Sequence, residues 1–379
     1  MPDMIYLDHA ATAPLSRRAL EAMTPYLTGE FGNPSAVYAP GRRARRALDE
    51  ARETVAAAFG AHPDEIYFTS GGTESDNWAI RSAANWGGGR KRIAVSAVEH
   101  HAVLRSAEAM EAAGYETALI AADGAGRVSP ASVRRAADGN TALVSVMAAN
   151  NEVGTIMPVA ELAAAAHEAG ALFHTDAVQA AGHIPLDAEA LGVDMMSFSA
   201  HKFGGPKGVG GLYVRRGVPV GPGQTGGGQE RGLRSGTENV AGIVGAATAL
   251  EEACRGMAEN AERLAALRGR LIRGVLAIPD ARLTGDAENR LPGNASFVFE
   301  GVEGEALVFL LDSSGVCASS GSACAAGALE PSHVLLAMGL PEDLARGSLR
   351  LTLGPENTVS EIDEVLKILP PIIFRLRGE

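Results

Sequence analysis

Between Ile66 and Val214 the chain repeats one pattern: a short apolar run, a stretch with three- and four-residue periodicity, then another apolar run. Ile66–Phe68, Ile93–Val95, Thr141–Met147, Ala171–Thr175 and Met195–Phe198 are too short for buried helices and read as buried strands. Segments near 74–85, 101–113, 129–137 and 159–169 read as helices. Ser129-Pro130 is a typical helix start, a capping serine followed by proline in the first turn. Strands that alternate with helices are joined by crossovers, and crossovers produce a parallel sheet covered by helices. The expected fold class is therefore α/β with a mostly parallel central sheet. Gly208–Val214 reads as a further strand, with Gly204-Gly205-Pro206 as its structural turn.

On either side of this region the pattern differs. Gly41–Phe59 reads as a helix with Ala44, Leu48, Ala51, Val55 and Ala58 on one face. Its Arg45 and Arg46 stand four residues before Asp49 and Glu50, the spacing of helical ion pairs. Residues 217–239 form a glycine-rich loop, and a long helical stretch follows over roughly 238–276. Strand-like Ala295–Phe299, helical Glu303–Leu311, strand-like Ser348–Leu353 and a helix near 360–369 complete a smaller α+β region. A chain of 379 residues exceeds what one core usually sustains. The expected division is a large α/β domain over 16–260 and a small α+β domain built from 1–15 and 261–379.

Acidic residues outnumber basic ones by 45 to 33, a net charge of −12, which argues against nucleic acid or an anionic membrane as the main partner. The arginine cluster Arg42, Arg43, Arg45 and Arg46 is offset by acids within the next turns. Cys254, Cys317 and Cys324 are too few and too scattered for a disulfide framework, so a reducing, cytoplasmic setting is expected. The opening residues lack the pattern of a secretory signal, and no apolar run reaches the length of a membrane span.

Chemistry concentrates in a few segments. In SFSAHKFGGPKGVGG a strand ends at Phe198, and Lys202 stands at its mouth before a glycine turn. An amine there can form a Schiff base with an aldehyde cofactor. Lys207 is a rival, but it lies within the turn. Thr69-Ser70-Gly71-Gly72-Thr73-Glu74-Ser75 joins a strand to a helix, and its amides and hydroxyls can cradle a phosphate, as can those of many such turns. Asp176 closes the strand Ala171–Thr175, where a carboxylate can hold a pyridinium nitrogen protonated or simply cap a helix. In Glu99-His100-His101 an imidazole can lie over a ring or move protons. No Cys or His spacing completes a tetrahedral metal site, and none is expected. Cys324 lies among small residues in SSGSACAAG, the setting of an exposed loop, whereas Cys317 and Cys254 read as small buried side chains.

With these segments in order, the chain resembles the cysteine desulfurases among fold-type I pyridoxal-phosphate (PLP) enzymes of the class V aminotransferase superfamily. It is similar to the NifS/IscS-like branch with the longer cysteine loop. The resemblance runs nearly end to end. It is carried by YLDHAAT at 6–12, GNPS at 32–35, FTSGGTESDN at 68–77, EHHAVL at 99–104, NNEVGT at 150–155, HTDAVQAAG at 174–182, SAHKFGGPKGVGGLYVR at 199–215, GGGQERGLRSGTENV at 226–240, SSGSAC at 319–324 and RLTLG at 350–354.

The resemblance implies a role for each matching residue. Lys202 would hold the cofactor covalently, Asp176 would pair with its ring nitrogen and Gln179 with its ring oxygen. His100 would stack on the ring and handle protons. Gly72, Thr73, Ser199 and His201 would hold the phosphate, with Thr237 reaching the cofactor of the partner subunit in a homodimer. Asn151 and Arg350 would bind L-cysteine, Arg350 through a bidentate contact with its carboxylate that Asn33 would help orient. Cys324 would take the sulfur as a persulfide, release alanine, and pass the sulfur to an acceptor such as an iron–sulfur scaffold.

Ala13, Val37 and Tyr38 depart from the usual threonine, leucine and histidine of that family. Selenocysteine lyase and class V aminotransferase are the alternatives on the same fold, and an aminotransferase has no use for the cysteine loop. A scaffold that had lost its chemistry would show a damaged Lys202, Asp176 or His100, and all three are present.

Overall fold

The computed structural model describes residues 4–86, 88–321 and 330–378. The strands among them are β1 (Ile5–Tyr6), β2 (Ile66–Thr69), β3 (Arg92–Ser96), β4 (Glu116–Ile120), β5 (Thr141–Ser145), β6 (Leu172–Asp176), β7 (Met195–Ser199), β8 (Gly210–Val214), β9 (Ala281–Leu283), β10 (Asn294–Phe299), β11 (Val316–Cys317) and β12 (Ser348–Thr352). One sheet has the order β2-β8-β7-β6-β5-β3-β4, and within it only β8 runs against its neighbours. From β3 the chain moves outward to β4, then returns to β5 and proceeds through β6 to β7. The order therefore reverses between β3 and β5, where the loops leaving the two strands diverge and open a crevice.

Helices α1 (Arg17–Leu27) and α2 (Ala39–Ala58) pack against the helix Val240–Arg255, whereas α3 (Gly72–Trp86) and α4 (His101–Glu111) pack directly on the sheet. Strands β5, β7 and β8 are buried at every position, as continuous apolar runs require. Edge strand β4 has no such run. It places Glu116 and Leu119 in solvent, so its sequence ETALI carries no strong strand signal. Helix α1 likewise lacks a long apolar stripe, although Ser16 caps it by accepting from the Ala19 amide at 3.0 Å. On α2 the expected pairing occurs at Arg45 and Asp49, 3.3 Å apart.

A second apolar cluster gathers Leu264, Leu271, Phe297, Leu311, Leu351 and Ile362 around the antiparallel sheet β12-β10-β9. Ile5 and Leu7 join it because β1 pairs in parallel with β11, bringing the N-terminal segment alongside the C-terminal third. The helical stretch expected over 238–276 is divided at Gly256 into helices Val240–Arg255 and Met257–Val275. The final helix runs over Val359–Arg377, through Pro370-Pro371, where prolines would ordinarily end it. Leu369 and Ile373 on either side are fully buried in the second cluster, and that burial outweighs the lost amide donors. No helix among the described residues is long and apolar enough to cross a membrane.

The glycine-rich segment after β8 is held down by charge. The Arg52 guanidinium on α2 donates to Glu230 Oε1 at 2.6 Å and Oε2 at 2.9 Å, and to the Ile66 carbonyl at 2.6 Å. Glu230 also accepts from the Phe68 amide at 3.0 Å. Both side chains are nearly inaccessible, and Glu230 and Arg231 adopt left-handed φ values of 44° and 58°. Two adjacent non-glycine residues hold that conformation only where their surroundings impose it. Replacing Glu230 with alanine would strand a buried guanidinium. It is expected to lower the unfolding free energy by about 3–5 kcal/mol, and urea denaturation of both proteins measures this.

Candidate active site

A cavity of about 450 Å³ opens at the carboxyl ends of the parallel strands, beside the N-terminus of α3. Gly72, Thr73, His100, Asn151, Asp176, Gln179, Ser199, His201, Lys202 and Arg350 all line it. Asn33 and Thr237 do not line it within the single chain; both are exposed, and Asn33 Oδ1 accepts from the Ser35 amide at 2.9 Å. Cys324 lies outside the described residues. Ser319, which precedes it, lines the cavity and exchanges backbone hydrogen bonds with Arg350 at 2.7 and 3.2 Å. Cys254 and Cys317 are half-buried rather than buried, and burial raises both thiol pKa values. Lys207, the rival amine, is exposed.

One end of the cavity suits an anion. The first amides of α3 have no carbonyl a turn earlier to bond, so they point outward from the helix. The turn before them is held rigid: Thr69 Oγ1 meets Ser75 Oγ at 2.8 Å, and Glu74 accepts from both the amide and the hydroxyl of Ser70, at 2.8 and 2.5 Å. Arg234 forks onto Glu74 at 2.8 and 3.1 Å. Gly72 fits because a Cβ there would fall 2.5 Å from Val178 Cγ2. Ser199, the last residue of β7, and His201, whose Nδ1 lies 3.2 Å from Thr12 Oγ1, close this end. Burial and the nearby Lys202 and Lys207 lower the His201 pKa to about 4, leaving it neutral at pH 7.

At the centre, Lys202 follows β7 in a single helical turn and donates from Nζ to the carbonyls of Ala10 and Ala11 at 2.7 and 2.8 Å. Gln179 Nε2 donates to the same Ala10 carbonyl at 3.0 Å. Asp176 accepts from the Val178 amide at 2.8 Å. Burial raises its pKa to about 6, against the opposing pull of that amide and of Lys202. His100 caps α4, its Nδ1 accepting from the Ala102 amide at 3.1 Å, so the proton of the neutral ring sits on Nε2. Burial, then Lys202 and His101, lower its pKa to about 4.

At the far end, Arg350 arrives on β12. It donates to Asp8 Oδ1 at 2.9 Å and to the Asn151 carbonyl at 3.0 Å. Arg350 Nε and Asn151 Oδ1 are buried without hydrogen-bond partners, polar atoms left for something that enters the cavity. Asp8, Asp76 and Met147 also line it and were absent from the expected set. Asp8 sits inside YLDHAAT, so its motif was visible. Its pairing with a residue 342 positions away was not.

The Aminotransferase class-V family model matches residues 5–365, and the chain belongs to that family. A cysteine desulfurase IscS from Methanosarcina thermophila is 48% identical over 99% of this chain and 93% of its own length. Within the family, the chain is therefore grouped with the cysteine desulfurases. A solved structure described as a NifS-like protein superposes with a TM-score of 0.92, at 40% identity over 98% of this chain and 99% of that one. SspA, solved in complex with cysteine, gives a TM-score of 0.82 at 34% identity, covering 93% of this chain and 100% of that one.

Glu99, beside His100, offers a test of the burial that shapes the site. It is fully buried, and desolvation raises its pKa from 4.5 to about 8 although Ser96 Oγ and the Met147 amide both donate to Oε1 at 2.7 Å. Between those two pH values the folded state holds a proton that the unfolded state has lost, so this group erodes stability as pH rises. Unfolding free energies of wild type and Glu99→Gln are expected to diverge across pH 4.5 to about 8, with wild type losing ground. Parallel curves would mean that Glu99 is ionised when folded.

Proposed function

We propose that this protein is a PLP-dependent cysteine desulfurase that converts L-cysteine to L-alanine and transfers the sulfur to Cys324. The single observation that supports this best is the convergence, in one cavity, of an amine, a buried carboxyl, a neutral imidazole, an anion-binding helix terminus and a guanidinium. The donors suit PLP. Gly72, Thr73, Ser199 and His201 would hold its phosphate, Asp176 its ring nitrogen, Gln179 its ring oxygen and Lys202 its aldehyde carbon. When bound, PLP supplies an electron sink for the substrate's α-carbon.

The chain's own residues do the rest. Arg350 presents the fork suited to a carboxylate, with Asn151 and Asn33 as orienting amides. Asp8 holds the guanidinium at 2.9 Å and keeps it aimed. Lys202, at the centre of the cavity, would move the α-proton. His100, neutral at pH 7 and carrying its proton on Nε2, would stack on the ring and handle protons. The Cys324 thiolate attacks the sulfur of the bound substrate. The C–S bond breaks and an S–S bond forms, so cysteine and the enzyme thiol become alanine and an enzyme persulfide. Thr237, exposed on its loop, would complete the phosphate site of a partner subunit in a homodimer.

The deciding assay gives purified protein L-cysteine and a reductant and records alanine and sulfide together. Wild type is expected to release both equally. Cys324→Ala is expected to lose both while keeping the visible absorption of bound PLP. Full activity in that variant would reassign the chemistry to direct elimination. On the resemblance to the NifS/IscS-like branch, we place the acceptor in iron–sulfur cluster assembly. Deleting the gene should then lower the activity of cluster enzymes. Unchanged cluster enzymes together with loss of a thiolated nucleotide would redirect the sulfur.

A further inference from the structure

Besides Asp8, which is paired with Arg350, the cavity is lined by two further acids of different origin. Asp176 closes β6, whereas Asp76 comes from α3, one turn beyond Gly72 and on the same face. The helix whose first amides face the anion end thus also sends a carboxyl into the cavity. Asp76 is 1% exposed, and its Oδ1 has no hydrogen-bond partner. The neighbour that could have supplied a positive charge is His174, on the same face of β6 as Asp176, with Nε2 3.6 Å from that oxygen. This is too far for a hydrogen bond. The ring is neutral: Ser145 Oγ and Ser197 Oγ engage its two nitrogens at 2.8 and 2.9 Å, and burial lowers its pKa to about 3. The other groups facing Asp76 are Asp176, Glu99, an acid with its own unpartnered Oε2, and the Ser197 hydroxyl, whose single hydrogen bond favours the ionised form but is outweighed by burial and the two acids. Lys202 acts on Asp176 instead.

Two neighbouring buried carboxyls served by one cation do not both ionise. We propose that Asp76 keeps its proton, so that the single negative charge of the pair sits on Asp176, opposite the ring nitrogen of the cofactor. Burial and the charge on Asp176 both push the Asp76 carboxyl well above the ordinary range, in agreement with this assignment. Asp76 is then a positioning residue. A second carboxylate would compete with Asp176 for the ring's proton, and a protonated Asp76 prevents it. The inference rests on the PLP reading of the site.

Infrared spectra of PLP-loaded protein at neutral pH, in H₂O and D₂O, test it directly. Wild type is expected to show a protonated-carboxyl carbonyl band that shifts on deuteration and disappears in Asp76→Asn. Glu99→Gln identifies the separate band from Glu99, and Asp176→Asn should leave the Asp76 band in place. A spectrum unchanged by Asp76→Asn overturns the proposal. So does a downward shift of about one pH unit or more in the titration of the cofactor's visible absorption in Asp76→Asn, because only the loss of a charge would cause it. The amide is as neutral as the acid it replaces, so the expected titration matches wild type. A protein that takes up no PLP would overturn both this inference and the reading beneath it, whereas a loaded protein lacking the Asp76 band would overturn the inference alone.

Discussion

The structure depends on the carboxyl edge of one parallel sheet. Strands that run the same way release their chains at the same edge, so residues far apart in sequence leave the sheet side by side. His100 follows β3, Asn151 follows β5, Asp176 ends β6, and Ser199 and Lys202 mark the end of β7. The helix α3 begins at that edge as well, which directs its free amides into the same space. The registers β5–β6 and β6–β7 set where these groups stand relative to one another. A one-residue slip would turn Asp176 to the opposite face of the sheet.

Burial then decides the charge of what has been gathered. Asp176, Glu99 and Asp76 all have carboxyl pKa values raised by desolvation, while His100, His174 and His201 are pushed toward the neutral imidazole. Around side chains this buried, a few charges dominate. Lys202 is the cation that acts on Asp176, His100 and His201 together. Arg350 works at the opposite end, where Asp8 and the Asn151 carbonyl have already oriented it. The charged side chains of the cavity thus stand at separate, fixed places.

Much of this was legible along the chain. The runs that became β3, β5, β6 and β7 are apolar without interruption, because burial on both faces demands it. Lys202 stood out because it follows such a run and precedes glycines. Where a segment is half exposed the signal weakens, and both β4, with Leu119 in solvent, and α1, with Leu20 and Leu27 exposed, were missed for that reason. The last helix was expected near 360–369 and runs on through Pro370-Pro371, since local rules do not register that Leu369 and Ile373 bury themselves in a distant core. Asp76 gave no sign of function. On the helix it is one polar residue among several, and its burial follows from packing against β6.

The sequence by itself determined the α/β class, the strands that meet at the site, the Lys202 and Asp176 positions at their ends, and membership in a family whose motifs run the length of the chain. These follow from local periodicity and from short motifs, each readable within a dozen residues. Only the tertiary structure decided that Asp8 from the N-terminal segment would hold Arg350, that Arg52 would pin the glycine-rich loop through Glu230, and that Asp76 would face Asp176. Each of these depends on chain segments brought together by the sheet order and by β1 pairing with β11. The energies involved come from desolvation and from charge at close range, quantities that exist only once the chain has folded.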